Sequence, residues 1–226
     1  LISRFVREGR RVFFWEEPVW HEGQPRTETR VCEKSGVTVV TPHLPGGLSE
    51  EDVNRTLRTL LDTFMAERQI SNFMLWYYTP MMLAFSHHLR PRLTVYDCMD
   101  ELALFKFAPP SLVEREDHLF RRADLVFTGG QSLWEAKKDK HPSVHAFPSS
   151  VDVPHFEKAR LGLDDPADQA AIPHPRIGWC GVIDERMNIE LLAEVARMRP
   201  EWHFIMLGPV VKIDPEMLPK PANIHW

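Results

Sequence analysis

Residues 121–147 read RRADLVFTGGQSLWEAKKDKHPSVHAF. The apolar run from Ala123 to Thr128 is short and bounded, the form of a buried strand. Gly129-Gly130 supplies a turn, with Gln131 or Ser132 serving the start of a helix over residues 132–140. Residues 144–147 then make a second strand. A strand, a helix and a strand in that order predict a parallel crossover.

The same rhythm extends toward the N-terminus. Residues 1–11 form the second half of an amphipathic helix, with Leu1, Ile2, Phe5 and Val6 on one face and Gly9 at its end. RVFFWE at 11–16 is a strand, followed by a polar, proline-containing excursion over 17–28. Residues 29–42 predict a hairpin turning at Ser35-Gly36. Ser49 with Asp52 three residues later marks a helix start, and Val53, Leu57, Leu60, Leu61, Phe64 and Met65 keep helical spacing to about residue 69. NFMLWYY at 72–78 and LTVYD at 93–97 are further strands, with helices over 81–88 and 110–122.

Toward the C-terminus the pattern breaks and restarts. Residues 152–175 are polar and hold Pro154, Pro166, Pro173 and Pro175, the composition of a linker with one small helix. RIGWC at 176–180, a helix over 188–198 and a strand over 202–207 begin a second strand–helix–strand unit. The expected fold is therefore α/β with two Rossmann-like domains: 1–152, a linker over 153–175, and the start of a second domain over 176–226. The chain is expected to be cut short at both ends.

Composition excludes several classes. The 226 residues hold 32 acidic and 27 basic side chains, a net charge of −5, which argues against nucleic-acid binding through bulk charge. Cys32, Cys98 and Cys180 are sparse and odd in number, without CxxC spacing, so neither a disulfide framework nor a zinc site is expected. Cys98 and Cys180 read as small buried hydrophobes. No run approaches the roughly 18 apolar residues of a membrane span. His87 and His88 are adjacent and cannot share a metal from one helix face.

In parallel α/β sheets ligands bind beyond the carboxyl ends of the strands. Those ends carry Thr79; Asp97, Asp100 and Glu101; Gly129 and Gly130; Gly181 to Arg186; and Gly208. Gly181 could bring backbone amides to a phosphate and Arg186 could clamp a diphosphate, although a tight turn with a surface arginine uses the same residues. The paired carboxylates Asp100 and Glu101 suit proton acceptance or binding of sugar hydroxyls, although helix capping also uses carboxylates.

Four stretches taken together resemble a known family: SRFVREGRRVFFWEEP, VYDCMDELALF, RRADLVFTGGQSLWEAKKDKHPSVHAFPSSVDVPHF, and GWCGVIDERMNIELLAEVARMRPEWHFIMLGPV. They are similar to bacterial family 1/family 4-like glycosyltransferases of the GT-B fold, in the group that includes the teichuronic acid biosynthesis glycosyltransferase TuaH. The resemblance implies an acceptor-binding first domain and a second domain for a UDP- or GDP-linked sugar, meeting at a cleft. It implies transfer to a cell-envelope or exopolysaccharide acceptor, a glycan or a lipid-linked one, with retention. It implies no cofactor and no metal, and a cytoplasmic protein with peripheral association at the inner face of the membrane. On it, Asp100 and Glu101 are catalytic, Gly181 and Arg186 hold the donor diphosphate, and Thr79, Gly129, Gly130 and Gly208 line the cleft.

The sequence departs from the pattern twice. Met187 stands where the family has a second base, and Pro148-Ser149-Ser150-Val151-Asp152 stands where it has PNGVD. A non-catalytic module binding a sugar nucleotide or a partner fits these departures. A dinucleotide-dependent oxidoreductase fits the alternation of strands and helices, but no GxGxxG follows a strand. The 226 residues alone are expected to be inactive.

Overall fold

Gly9, with φ +79°, ends the first helix, and its amide bonds back to the Val6 carbonyl at 2.9 Å. This helix, α1, spans Ile2–Arg7 in a computed structural model that describes residues 2–148 and 150–226. The expectations placed on Leu1 and Ser149 lie outside the described residues. The chain divides into two compact units, Leu1–Ser150 and Val151–Trp226. The 153–175 segment expected to be a linker is grouped with the second unit.

The first sheet of the first unit is built around β4 (Thr38–Pro45). Along one edge runs β3 (Arg26–Val31), antiparallel, from Arg26↔His43 to Val31↔Thr38. Along the other lie β1 (Phe13–Trp15) and β2 (Val19–His21) in succession, both parallel. The hairpin at Ser35-Gly36 forms as expected, with Gly36 at φ +72°. The 17–28 excursion is more ordered than its composition suggests. β2 forms there by pairing its backbone with residues 43–45, while Val19 and Trp20 stay exposed and carry no burial pattern. Helix α2 (Glu50–Glu67) starts where Ser49 Oγ accepts the Asp52 amide at 3.1 Å. Its Leu57 packs with Leu44 and Phe85, each worth about 1.5–3 kcal/mol once buried.

The second sheet is parallel, in the order β5 (Met74–Tyr77), β6 (Leu93–Cys98), β7 (Leu125–Thr128), β8 (Val144–Ala146). A short 3₁₀ turn, Pro80–Met82, leads into α3 (Leu83–Ser86); α4 (Leu112–Arg122) and α5 (Gln131–Lys137) make the later crossovers. Tyr77, Tyr96, Leu119, Phe120 and Val126 close the core between sheet and helices. β6 is buried almost throughout, because a central parallel strand is covered on both sides.

The second unit opens with α6 (Val153–Phe156), capped by Asp152. Its parallel sheet orders β11 (Ile224–His225), β10 (His203–Leu207), β9 (Arg176–Cys180). Helix α7 (Ile189–Met198) crosses from β9 to β10 and packs Ala196 onto Phe204, Met206 and Ile224. Asn223 ties the end of α7 to the sheet, its amide donating to the carbonyls of Ala196, Arg199 and Trp202. Cys98 is buried as expected, but Cys180 is exposed because β9 is an edge strand of this sheet. No helix among the described residues is long and apolar enough to cross a membrane.

Candidate functional site

In the first unit the site residues gather at the carboxyl ends of β5, β6 and β7. Thr79 caps the 3₁₀ turn after β5, its Oγ1 accepting the Met81 amide at 3.3 Å. Asp97 closes β6, buried, with Oδ2 accepting the Trp76 Nε1 hydrogen at 3.0 Å. Burial pushes its carboxyl above the ordinary range, and the Trp76 bond only partly opposes this. Asp100 is exposed.

Glu101 has a more constrained place than the sequence suggests. Lys137 Nζ, from the last residue of α5, lies 2.8 Å from Glu101 Oε1 and 2.8 Å from Glu116 Oε2. Glu116 also accepts the Tyr96 hydroxyl at 2.7 Å. Burial works against the charge on Lys137, but its bonds to the two carboxylates outweigh this and raise its pKa. Burial pushes the Cys98 thiol beside them up to about 11. Glu101 therefore anchors the loop after β6, and Asp100 is the carboxylate of the pair that faces solvent. Nothing in the sequence reading pointed to Lys137 or Glu116. A helical signal existed: Lys137 follows Leu133 by four residues, and Glu116 sits between Leu112 and Leu119-Phe120, so each lies on a core-facing stripe.

Gly129 closes the other side of that loop. A Cβ there would stand 2.6 Å from the Met99 carbonyl oxygen, and its amide donates to Cys98 O at 3.0 Å. A glycine is needed because two backbones approach too closely for a side chain. Gly130 has open space around its Cα and caps α5 with extended backbone.

In the second unit the loops after β9 and β10 come together. Gly208, at φ +150°, would place a Cβ 1.7 Å from the Gly181 carbonyl oxygen. The Gly181 amide donates to Leu207 O at 3.0 Å and the Ile183 amide to Pro209 O at 3.0 Å. This corrects the expectation for Gly181: its N–H is spent on the neighbouring strand, so the glycine provides close packing rather than an amide for a phosphate.

Arg186 lies two residues before the Asn188 cap of α7, whose Oδ1 accepts the Leu191 amide at 2.9 Å. Its Nε is 3.1 and 3.0 Å from the two carboxylate oxygens of Asp184, and Nη2 is 2.7 Å from Oδ2. The guanidinium hydrogen bonds hold the buried Asp184 carboxyl below its usual range. Arg186 and Asp184 line a concavity of about 630 Å³ with Trp179, Asn188 and Phe204. Asp184 offsets the charge of the Arg186 guanidinium, and the N-terminal end of α7 adds its positive dipole beside the pair. Among the described residues no group of three or more His, Cys, Asp or Glu side chains is placed to hold a metal ion.

Parallel α/β units with close-packed glycine loops at their strand ends define the class of fold, that of open parallel sheets in which ligands bind beyond the carboxyl ends of the strands. Two solved structures make it particular. One is a trehalose-6-phosphate synthase, studied with bisubstrate glycomimetics for glycosyl transfer with retention; it shares 12% identity, with a TM-score of 0.55 over 92% of this chain and 61% of the other. The second is described as trehalose-6-phosphate from E. coli bound with UDP-2-fluoro glucose; it shares 13% identity, with a TM-score of 0.56 over 88% of this chain and 58% of the other. The likeness is one of fold: the chain has the α/β architecture of GT-B glycosyltransferases over that part of their length. No family model and no curated protein matches the chain.

Proposed function

We propose that this protein transfers a sugar from a UDP- or GDP-linked donor to a glycan or lipid-linked acceptor of the cell envelope or an exopolysaccharide. The observation that carries the reading is Arg186, fixed by Asp184 at the rim of the β9–α7 concavity beside a helix N-terminus. The likeness to GT-B structures supports it, one of them bound with a UDP-sugar analogue. The finer placement in the family 1/family 4-like group around TuaH rests on the sequence resemblance.

In this reading Arg186 and the positive end of α7 meet the charge that grows on the departing diphosphate. The reading takes the donor diphosphate to be met by the Arg186 side chain and the helix dipole, without a metal ion. Asp100 receives or orients the acceptor hydroxyl, and Glu101 keeps the Asp100 loop in place through Lys137. Transfer proceeds with retention, in the cytoplasm, with the protein resting at the inner face of the membrane.

A second reading has a specific observation behind it. Asp184 offsets the charge of Arg186, and Met187 supplies no second base. Both fit a module that binds sugar nucleotides without turning them over. Calorimetry with UDP, UDP-glucose and GDP-mannose tests the shared part of both readings. Absence of binding by all three removes the donor site. Binding together with sugar transfer to lipid or glycan acceptors by the complete protein selects the enzyme.

A further inference from the structure

The loop after β6 carries the two most exposed large apolar side chains among the described residues: Leu104 at 83% and Phe107 at 79%. Met99, at the start of the same loop, is also exposed. Water gains nothing from such a display, and an unconstrained loop would fold these side chains back.

The backbone prevents that. The Leu104 amide bonds to Glu101 O at 3.0 Å, and the Ala108 amide to Phe105 O at 3.0 Å. Phe107 sits at φ +68°, a left-handed conformation that a bulky residue adopts at a cost. The base of the loop is fixed by Lys137 on Glu101 and by the contact of Gly129 with Met99. Pro109 and Pro110 stiffen its exit. A rigid mount thus holds two apolar tips outward.

We propose that residues 99–107 dock this protein on a lipid bilayer, with Leu104 and Phe107 entering the boundary between headgroups and acyl chains. Two properties favour a bilayer over a protein partner. The display is three apolar side chains on one loop, whereas a stable protein interface buries about 800 Å² on each side. Lys106 lies between the tips, its Nζ 5.1 Å from the centre of the Phe107 ring. Its stem can lie along that ring while the ammonium meets lipid phosphate. The inference deepens the functional reading and rests on it for one point, that Asp100, four residues before Leu104, meets an acceptor at the membrane surface.

The test is flotation of the 226-residue chain with vesicles of phosphatidylcholine alone and of equal parts phosphatidylcholine and phosphatidylglycerol. The chain is expected to float with both. Leu104→Ser and Phe107→Ser should each lower the partition coefficient about tenfold. Lys106→Glu should weaken binding more on the phosphatidylglycerol vesicles. Met217→Ser, an exposed apolar side chain in the other unit, should change nothing. Failure of the parent chain to float, or flotation of the doubly substituted chain equal to the parent's, overturns the proposal. Self-association that the double substitution abolishes, with no flotation, also overturns it in favour of a second copy of the chain. UDP binding by the same samples separates the two ideas. Bound UDP without flotation ends the docking proposal alone; flotation without UDP binding ends the donor-site reading and leaves docking supported.

Discussion

Arg186 Nη2 lies 2.7 Å from Asp184 Oδ2, and its Nε reaches both oxygens of the same carboxylate. The pair is lopsided: the Asp184 side chain is 4% exposed and the Arg186 side chain 59%. The aspartate is the fixed member, and it holds the exposed guanidinium in one orientation at the rim of the concavity.

Removal of the guanidinium should be felt by a diphosphate and not by a nucleoside. Arg186→Ala is expected to weaken UDP binding by about 1–3 kcal/mol, the range for a hydrogen bond to a charged group. Uridine, which lacks phosphate, should bind both proteins alike. Titration calorimetry reads both, and equal UDP affinity in the variant would remove Arg186 from the donor site.

The same pair gives a pH signature. Because Arg186 depresses the folded-state pKa of Asp184, the unfolded chain takes up the proton first as pH falls. The stabilisation is fully present above the unfolded carboxylate value of about 3.9 and is lost as pH drops through the depressed folded value. Asp184→Asn should therefore melt below the parent at neutral pH, and the gap should close under acid. Thermal denaturation from neutral pH down to acid measures it; a gap that widens with acid contradicts the assignment.

Lys137 is a buried cation held between Glu101 and Glu116. Lys137→Met leaves Glu116 and Glu101 without their partner and is expected to cost about 3–5 kcal/mol, as for one half of a buried ion pair. Adding Glu116→Gln removes a buried charge and should restore part of the loss. Urea denaturation of the single and double variants checks both statements. A double variant less stable than the single one would show that the Glu116 carboxylate is not the stranded group.

The glycines after the strands should separate into two kinds. Gly208→Ala forces a methyl group against the Gly181 carbonyl at a left-handed φ, and is expected to destabilise the second unit by about 1–3 kcal/mol or more. Gly130→Ala meets open space at an extended φ of −171° and should stay within about 0.5 kcal/mol of the parent. Denaturation of both variants tests the contrast, and equal effects would refute it.

What was legible in the sequence was local. The Ser49–Asp52 cap, the Ser35-Gly36 hairpin and the strand–helix–strand order around residues 121–147 depend on neighbours a few residues away, and all three formed. β2 was not legible, because its pairing partner lies beyond residue 42 and Trp20 is exposed. The site shows the same division. Asp100, Gly129, Arg186 and Gly208 could be placed just beyond strands because strand ends are visible in a periodic pattern.

The sequence by itself determined that the chain is built of parallel α/β units, since buried strands must be short and apolar and their crossovers amphipathic. Only the tertiary structure decided what the site residues can do. It gave the Gly181 amide to Leu207, tied Glu101 to Lys137 across 36 residues, and set Asp184 under Arg186. Hydrogen bonds and ion pairs act over about 3 Å, and which groups come that close is fixed by packing of distant segments rather than by spacing along the chain.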